Sequence, residues 1–141
     1  MKKLTKKFKI EKTKKGFPAL WESGGGYRNT GYARIITGKD GGVKKAVYIK
    51  QRGHLANAEH ALFVIEVGDL IIEAEHHRED FNIEIFRVVE ISDDYCVGEK
   101  INDFSMGEWD HEPTGKVLDA IEAAKSKATD YHCRSPWYYT Y

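Results

Sequence analysis

Residues 61–97 of this chain, ALFVIEVGDLIIEAEHHREDFNIEIFRVVEISDDYCV, decide the fold. Apolar and polar residues alternate through much of this stretch, which is typical of strands with one buried face. The alternation blurs at 86–89, where the pattern indicates a β-bulge or burial of both faces. The predicted strands are 61–67, 70–75, 81–91 and 95–97.

Turn residues separate these strands. Gly68-Asp69 places glycine first in a two-residue turn, which predicts a type II′ hairpin joining 61–67 to 70–75. Asp93-Asp94 predicts another reversal before the last strand. Within 70–75, Glu73 and Glu75 fall on one side of the strand, and we expect that side to face solvent.

The N-terminal half continues the β pattern. Segments 32–37 and 43–50 are rich in β-branched and aromatic residues, and the Gly- and Asp-containing segment 38–42 between them predicts a hairpin. Phe8 and Ile10 alternate with lysines, which predicts a short strand with one solvated face. The alternatives for this segment are a solvated basic tail and an arm that contacts phosphates.

A C-terminal helix is predicted over 116–132, with Thr114 as its N-cap after Pro113. Residues 98–113 are expected to be irregular and acidic. The apolar residues that share one helical face are Val117, Ile121, Ala124, Ala128 and Tyr131. Together the elements predict an α+β fold, an antiparallel β-meander (sheet or barrel) with one C-terminal α-helix.

A length of 141 residues predicts one domain with a real core. The two cysteines, and the absence of an apolar run after the basic N-terminus, predict a cytoplasmic protein without a signal peptide or membrane span. The predicted parts are a basic N-terminal strand or arm (1–15), a β-rich core (17–100), the helix (114–133) and an aromatic tail (134–141).

Charge is segregated along the chain although it cancels in total. Residues 1–58 hold 15 Lys and Arg against 3 Asp and Glu, whereas residues 59–122 hold 4 against 18. The basic part is suited to an anion such as a nucleotide or nucleic acid, and the acidic part to a basic protein partner. The two parts can also neutralise each other, within one molecule or between copies, and the second case predicts a homo-oligomer.

The Gly-rich segment 23–31 is the best candidate for a site. Its consecutive glycines allow backbone N–H groups to converge on a phosphate, while Tyr27 offers a stacking face and Arg28 a bidentate phosphate contact. The segment lacks the lysine and following helix of a Walker loop and the strand–turn–helix setting of a dinucleotide fingerprint. The plainer interpretation is a flexible loop that enters a hairpin.

A second candidate group is His76, His77 and Arg78, which could hold an anion or a nucleotide. Adjacent histidines in a strand point to opposite faces, so both can bind one metal ion only in a loop. No histidine pair has helical i, i+4 spacing and no Cys-x-x-Cys occurs, so no metal or cofactor is predicted. Cys96 and Cys133 do not resemble activated thiolates.

The leading hypothesis is a non-catalytic binding module for a phosphate-bearing ligand, either a nucleotide-like small molecule or nucleic acid. A short chain with segregated charge and no catalytic motif is typical of sequestering or inhibitory proteins of phages and mobile elements. The predicted ligand contacts are Gly24, Gly25, Gly26, Tyr27, Arg28, Asn29, Arg52, His54, His76, His77, Arg78, Phe81 and Asn82.

Two alternatives stay open. The first is a protein-interaction inhibitor whose acidic segment, around Glu108, Asp110 and Glu112, mimics nucleic acid. The second is a metal-dependent hydrolase that uses the region of His76 and His77 together with Asp80. An enzyme is the less favoured class because no catalytic motif is present.

Overall fold

The computed structural model describes residues 4–22, 30–50, 59–78, 80–105, 108–109 and 113–134, which form ten β-strands and one α-helix. All strand pairing is antiparallel, and the helix, α1 (Gly115–Arg134), comes last, so the predicted α+β class is confirmed. The strands are β1 (Thr5–Lys9), β2 (Glu11–Lys12), β3 (Pro18–Trp21), β4 (Thr30–Thr37), β5 (Val47–Lys50), β6 (Glu59–Val64), β7 (Leu70–His77), β8 (Asp80–Ile91), β9 (Tyr95–Ser105) and β10 (Glu108–Trp109).

The strands form two sheets. The larger, sheet A, has the order β1-β9-β8-β7-β4 with β10 added to β9, and it is curled. The smaller, sheet B, has the order β2-β3-β6-β5. Strands β7, β8 and β9 neighbour each other in chain order within sheet A and form the meander, to which the short β10 is added, while β1 and β4 join from the N-terminal part of the chain.

Each face of sheet A buries its own apolar cluster, because successive residues of a strand point to opposite faces. One face packs against α1, and its buried members are Ala33, Ile35, Leu70, Ile72, Ala74, Ile83, Ile85, Ala120, Ile121, Ala124 and Ala128. The other face packs against sheet B, and the buried members of that cluster are Phe8, Ile10, Leu20, Ile36, Phe63, Ile65, Ile71, Phe86, Val88 and Cys96. We call these the helix face and the inner face of sheet A.

The hairpin predicted at Gly68-Asp69 is wrong, because β6 and β7 lie in different sheets. Gly68 has a φ of 98°, so the turn itself forms. The turn is hydrogen-bonded to β8 and does not close a hairpin between β6 and β7. The Gly68 N–H donates to the carbonyl of Val88 at 2.8 Å, and the Val88 N–H donates to the carbonyl of Asp69 at 2.9 Å. The turn therefore carries the chain from one layer to the other.

The hairpin predicted between 32–37 and 43–50 forms only at its tip. Thr37 bridges to Val43, and the Lys44 N–H donates to the carbonyl of Ile36 at 2.8 Å. Beyond this point the chain leaves β4, and β5 pairs with β6 in sheet B.

The remaining local predictions hold with one exception. The Asp93-Asp94 turn joins β8 to β9, and the register shifts twice along β8, after Ile85 and after Val88, where the bulge was expected. Helix α1 begins directly after Thr114. Among the described residues of the chain, no helix is long and apolar enough to cross a membrane. The exception is the segment 98–113, predicted to be irregular, in which β9 continues to Ser105 and β10 spans Glu108–Trp109.

Candidate functional site

The strand registers place the loops at two opposite ends of the sheets. Links 38–46, 66–69 and 92–94 lie at one end, which we call the lower end. The first turn of α1 lies there too, because Lys116 pairs with Asp40 at 3.4 Å. The opposite end, which we call the upper end, holds the described residues that flank the predicted ligand segments.

Three pairs of described residues mark the upper end. Thr30 of β4 pairs with His77 of β7, which pairs in turn with Asp80 of β8. In sheet B, Lys50 pairs with Glu59 at the corresponding end of β5 and β6. The two sheets are joined near the middle of β4, where the Arg34 N–H donates to the carbonyl of Glu22 at 2.7 Å.

These residues flank all three segments that the sequence singled out. The described residues on either side of 23–29 in the Gly-rich segment are Glu22 and Thr30. The segment with Arg52 and His54 lies between Lys50 and Glu59, and the turn at Arg78 lies between His77 and Asp80. The strand registers therefore bring the flanks of the three segments to one end. The predicted contacts that lie outside the described residues are Gly24, Gly25, Gly26, Tyr27, Arg28, Asn29, Arg52 and His54.

His76 and His77 point to opposite faces of β7, as predicted. His76 is buried on the helix face, where its ring stacks on Phe81 with centroids 4.4 Å apart and planes 7° apart. The ammonium of Lys125 lies 5.2 Å from the Phe81 ring centre. The Phe81 ring is thus engaged within the protein, so stacking of a ligand on it stays a prediction that would require this arrangement to open.

His77, Arg78 and Asn82 are exposed. Arg78 forms the turn between β7 and β8 with a φ of 58°, a left-handed conformation that non-glycine residues seldom adopt. Asn82 follows Phe81 in β8 and therefore projects from the inner face of sheet A.

An ionic cluster on the inner face is the main feature that sequence reasoning missed. Glu73 is 5% exposed, so the prediction that it faces solvent is wrong. Arg34 donates from Nε and Nη2 to Glu73 Oε2 at 3.1 and 2.7 Å, and Lys6 Nζ donates to Oε1 at 3.2 Å. The signal in the sequence was the position of this carboxylate within the otherwise apolar run 70–74.

Burial governs the charges of this cluster. It lowers the pKa of Arg34 to about 10 and raises the pKa of Glu73, so removal from water opposes both charged forms. The Lys6 ammonium lies 5.0 Å from the Phe8 ring centre and 5.6 Å from that of Phe86. Two cations face Glu73, whereas Glu84, directly opposite in β8, acts against them by raising the pKa of Glu73.

Charge segregation along the sequence is partly neutralised within the molecule. Cations from the basic segment pair with acids of the acidic segment, because β1 and β4 join a sheet whose other long strands are acidic. The pairs are Lys6–Glu73, Arg34–Glu73, Lys44–Asp69 at 2.8 Å and Lys12–Asp93 at 3.8 Å. The segregation alone therefore does not require a second copy, and the homo-oligomer stays a prediction.

A cavity of about 460 Å³ opens at the upper end, beside the C-terminal half of α1. The described residues that line it are Ser126, Lys127, Thr129 and Asp130. Lys127 forms an ion pair with Glu22, and burial lowers the pKa of its ammonium. The cavity thus adjoins the residue from which the Gly-rich segment starts.

Metal and thiol chemistry find little support in the described residues. No three His, Cys, Asp or Glu side chains among them are grouped so that they could hold a metal ion. Cys96 is fully buried, and burial raises the pKa of its thiol to about 11, so it is a poor nucleophile. The side chain of Cys133 lies outside the described part.

Comparisons of the chain with protein-family models, with curated proteins and with solved structures found no match.

Proposed function

We propose that this protein is a non-catalytic module that binds a phosphate-bearing, nucleotide-like ligand at the upper end of its two sheets. The observation that carries the proposal is the strand register, which brings the flanks of three separate segments rich in Gly, Arg and Asn to that end. Binding sites built from loops on a rigid sheet scaffold follow the same organisation.

The charged groups have separate roles in this proposal. Backbone N–H groups of the segment 24–26 surround a phosphate, and Arg28, Arg52 and Arg78 supply charge-assisted hydrogen bonds to it. Arg78 is the described member of this set, and its exposed position on the tight turn between β7 and β8 leaves its guanidinium accessible to a ligand.

A small nucleotide is favoured over nucleic acid because three lysines of the basic N-terminal segment have contacts within the protein. Lys6 and Lys12 pair with acids, and Lys7 lies 4.6 Å from the ring centre of Tyr95. A polyanion would need a continuous row of accessible cations. A steep loss of affinity with salt, for DNA or RNA of any sequence, would shift the assignment to nucleic acid.

The first experiment is mass spectrometry of a heat-denatured extract, made after the purified protein has been incubated with a nucleotide mixture. We expect a retained nucleotide of unchanged mass. Calorimetric titration with that nucleotide should then show at least a tenfold loss of affinity for Arg28→Ala and for Arg78→Ala.

Arg87→Ala is the matched control, because Arg87 is an exposed arginine of β8 that lies opposite Leu70, toward the lower end. Its affinity should equal that of the wild type. The proposal is wrong if Arg28→Ala and Arg78→Ala both bind as tightly as this control.

A further inference from the structure

Phe81 and Asn82, both predicted as ligand contacts, cannot act from the same side. They are consecutive in β8, and Phe81 packs on the helix face against His76. An aromatic partner for Asn82 must therefore come from a neighbouring strand on the inner face.

The register supplies that partner. Asn82 lies directly opposite Glu75 of β7, and Glu75 lies directly opposite Tyr32 of β4. Side chains of directly opposed residues share a face and have Cβ atoms about 5 Å apart. Glu75 and Asn82 are exposed and Tyr32 is half-buried, so the three form an accessible row on the inner face.

The ionic cluster supports this row from the adjacent position along the strands. Arg34 lies 5.7 Å from the Tyr32 ring centre, and its two hydrogen bonds to Glu73 fix the guanidinium. Because the partners of Arg34 are buried, the Tyr32 ring is held on a rigid base.

We propose that Tyr32, Glu75 and Asn82 form the base-recognition platform of the ligand site, and that the base carries an exocyclic amino group. The proposal rests on the proposed function. The Tyr32 ring stacks on the base, the ionised Glu75 side chain accepts a hydrogen bond from the amino group, and the Asn82 amide both donates and accepts at the base edge.

The platform is oriented correctly toward the phosphate contacts. The next residues on the same face, toward the upper end, are His77 and Asp80, which lie ~7 Å further along their strands. Arg78 follows His77 in the turn. A base on the platform therefore directs its sugar and phosphate toward Arg78 and the flanks of the Gly-rich segment.

A base with a carbonyl in place of the amino group would present a lone pair to the carboxylate of Glu75. A hydrogen bond to a charged group is strong, and loss of one costs about tenfold or more in affinity. We therefore expect ATP to bind at least tenfold more tightly than ITP, which reverses two edge positions: it has a carbonyl at C6 in place of the amino group and an N–H at N1 in place of an acceptor nitrogen.

The test is calorimetric titration of ATP and ITP into the wild type and four variants. Glu75→Gln should abolish the preference for ATP, and Tyr32→Leu should weaken both nucleotides about tenfold, whereas Tyr32→Phe should retain the affinity because it keeps the stacking face. Glu90→Gln is the control, because Glu90 is an exposed acid of β8 that lies beyond the register shift at Val88 in the pairing of β8 with β9. This variant should bind both nucleotides as the wild type does.

Amide NMR with adenosine, which has no phosphate, separates this proposal from the proposed function. Shifts concentrated at Tyr32, Glu75 and Asn82 support the platform even if Arg28→Ala and Arg78→Ala have no effect on ATP binding. If those two arginine variants weaken ATP while Tyr32→Leu and Glu75→Gln do not, the platform is wrong and the proposed function stands. If adenosine shifts no residue of the row and no nucleotide binds, the platform is wrong as well.

Discussion

Ile72 and Glu73 are consecutive residues of β7 that are both buried, one on each face of sheet A. Ile72 enters an all-apolar cluster beneath α1. Glu73 lies at the margin of the inner cluster and is surrounded by two cations and aromatic rings. Both faces of β7 bury apolar side chains, and the inner face adds a buried ion pair to its apolar cluster.

The two faces differ in what their stability depends on. On the helix face, each apolar side chain contributes through the area that it removes from water. On the inner face, burial opposes both charged forms of the Arg34–Glu73 pair. The pair as a whole therefore adds little to the free energy of unfolding, whereas removal of one partner lowers it strongly. The predictions below test this difference.

Breaking the ionic cluster should have the largest effect. Glu73→Ala leaves Arg34 buried without its carboxylate, which should lower the free energy of unfolding by about 4 kcal/mol. The double variant Arg34→Met/Glu73→Leu should recover most of this loss, since an apolar pair of similar volume avoids the desolvation. Urea unfolding measures both, and a double variant as unstable as the single one would contradict the argument.

Truncation of an apolar side chain on the helix face should lower the free energy of unfolding somewhat less, and no second substitution is expected to restore the loss. Ile72→Ala removes fully buried apolar area and leaves a cavity, which should cost about 3 kcal/mol. The matched control is Val89→Ala, because Val89 is 41% exposed. An Ile72→Ala variant as stable as this control would show that α1 adds little to the core.

Adding volume on the inner face should cost less again. A Cβ on Gly98 would lie 2.8 Å from the Phe8 ring and 2.9 Å from Phe86 Cβ, so Gly98→Ala should destabilise by about 2 kcal/mol. Gly42→Ala is the control, since its added Cβ would meet only ordinary contacts with Asp40. Equal melting temperatures for the two variants would contradict close contact of β1, β8 and β9.

The pH dependence of stability should also separate the faces. The folded-state pKa of Glu73 is raised above its ordinary value of 4.5, so the associated stability is present below that value and is lost as the pH rises through the folded pKa. Relative to Arg34→Met/Glu73→Leu, the wild type should therefore lose stability between pH 4.5 and neutrality. Parallel urea titrations across this range measure the difference, and curves of the same shape would show that Glu73 does not titrate in this way.

The predictable part of the fold is the part that local signals encode. The alternation in 81–91 and the spacing of apolar residues in α1 each specify an element without reference to the rest of the chain. The turn at Gly68 was also recognised, but a turn reverses the chain without choosing the partner of the strand that follows. The assignment of β6 and β7 to separate sheets depends on long-range pairing with β3 and β4.

The same distinction applies to the site. Opposite orientation of His76 and His77 follows from strand geometry alone, and the structure confirms it. The burial of Glu73 was missed despite its position in an apolar run, because a charged residue at an alternate strand position resembles a solvated one until Arg34 is known to lie opposite. The row from Tyr32 to Asn82 likewise depends on a register that joins residues far apart in sequence.

The pairing of β1 with β9 has a consequence for synthesis on the ribosome. Residues Thr5–Lys9 pair with Tyr95–Glu99, so β1 cannot join the sheet until residue 99 has been translated. During that interval we expect Phe8 to be available to other chains, and we expect the charges of the neighbouring Lys6, Lys7 and Lys9 to oppose aggregation.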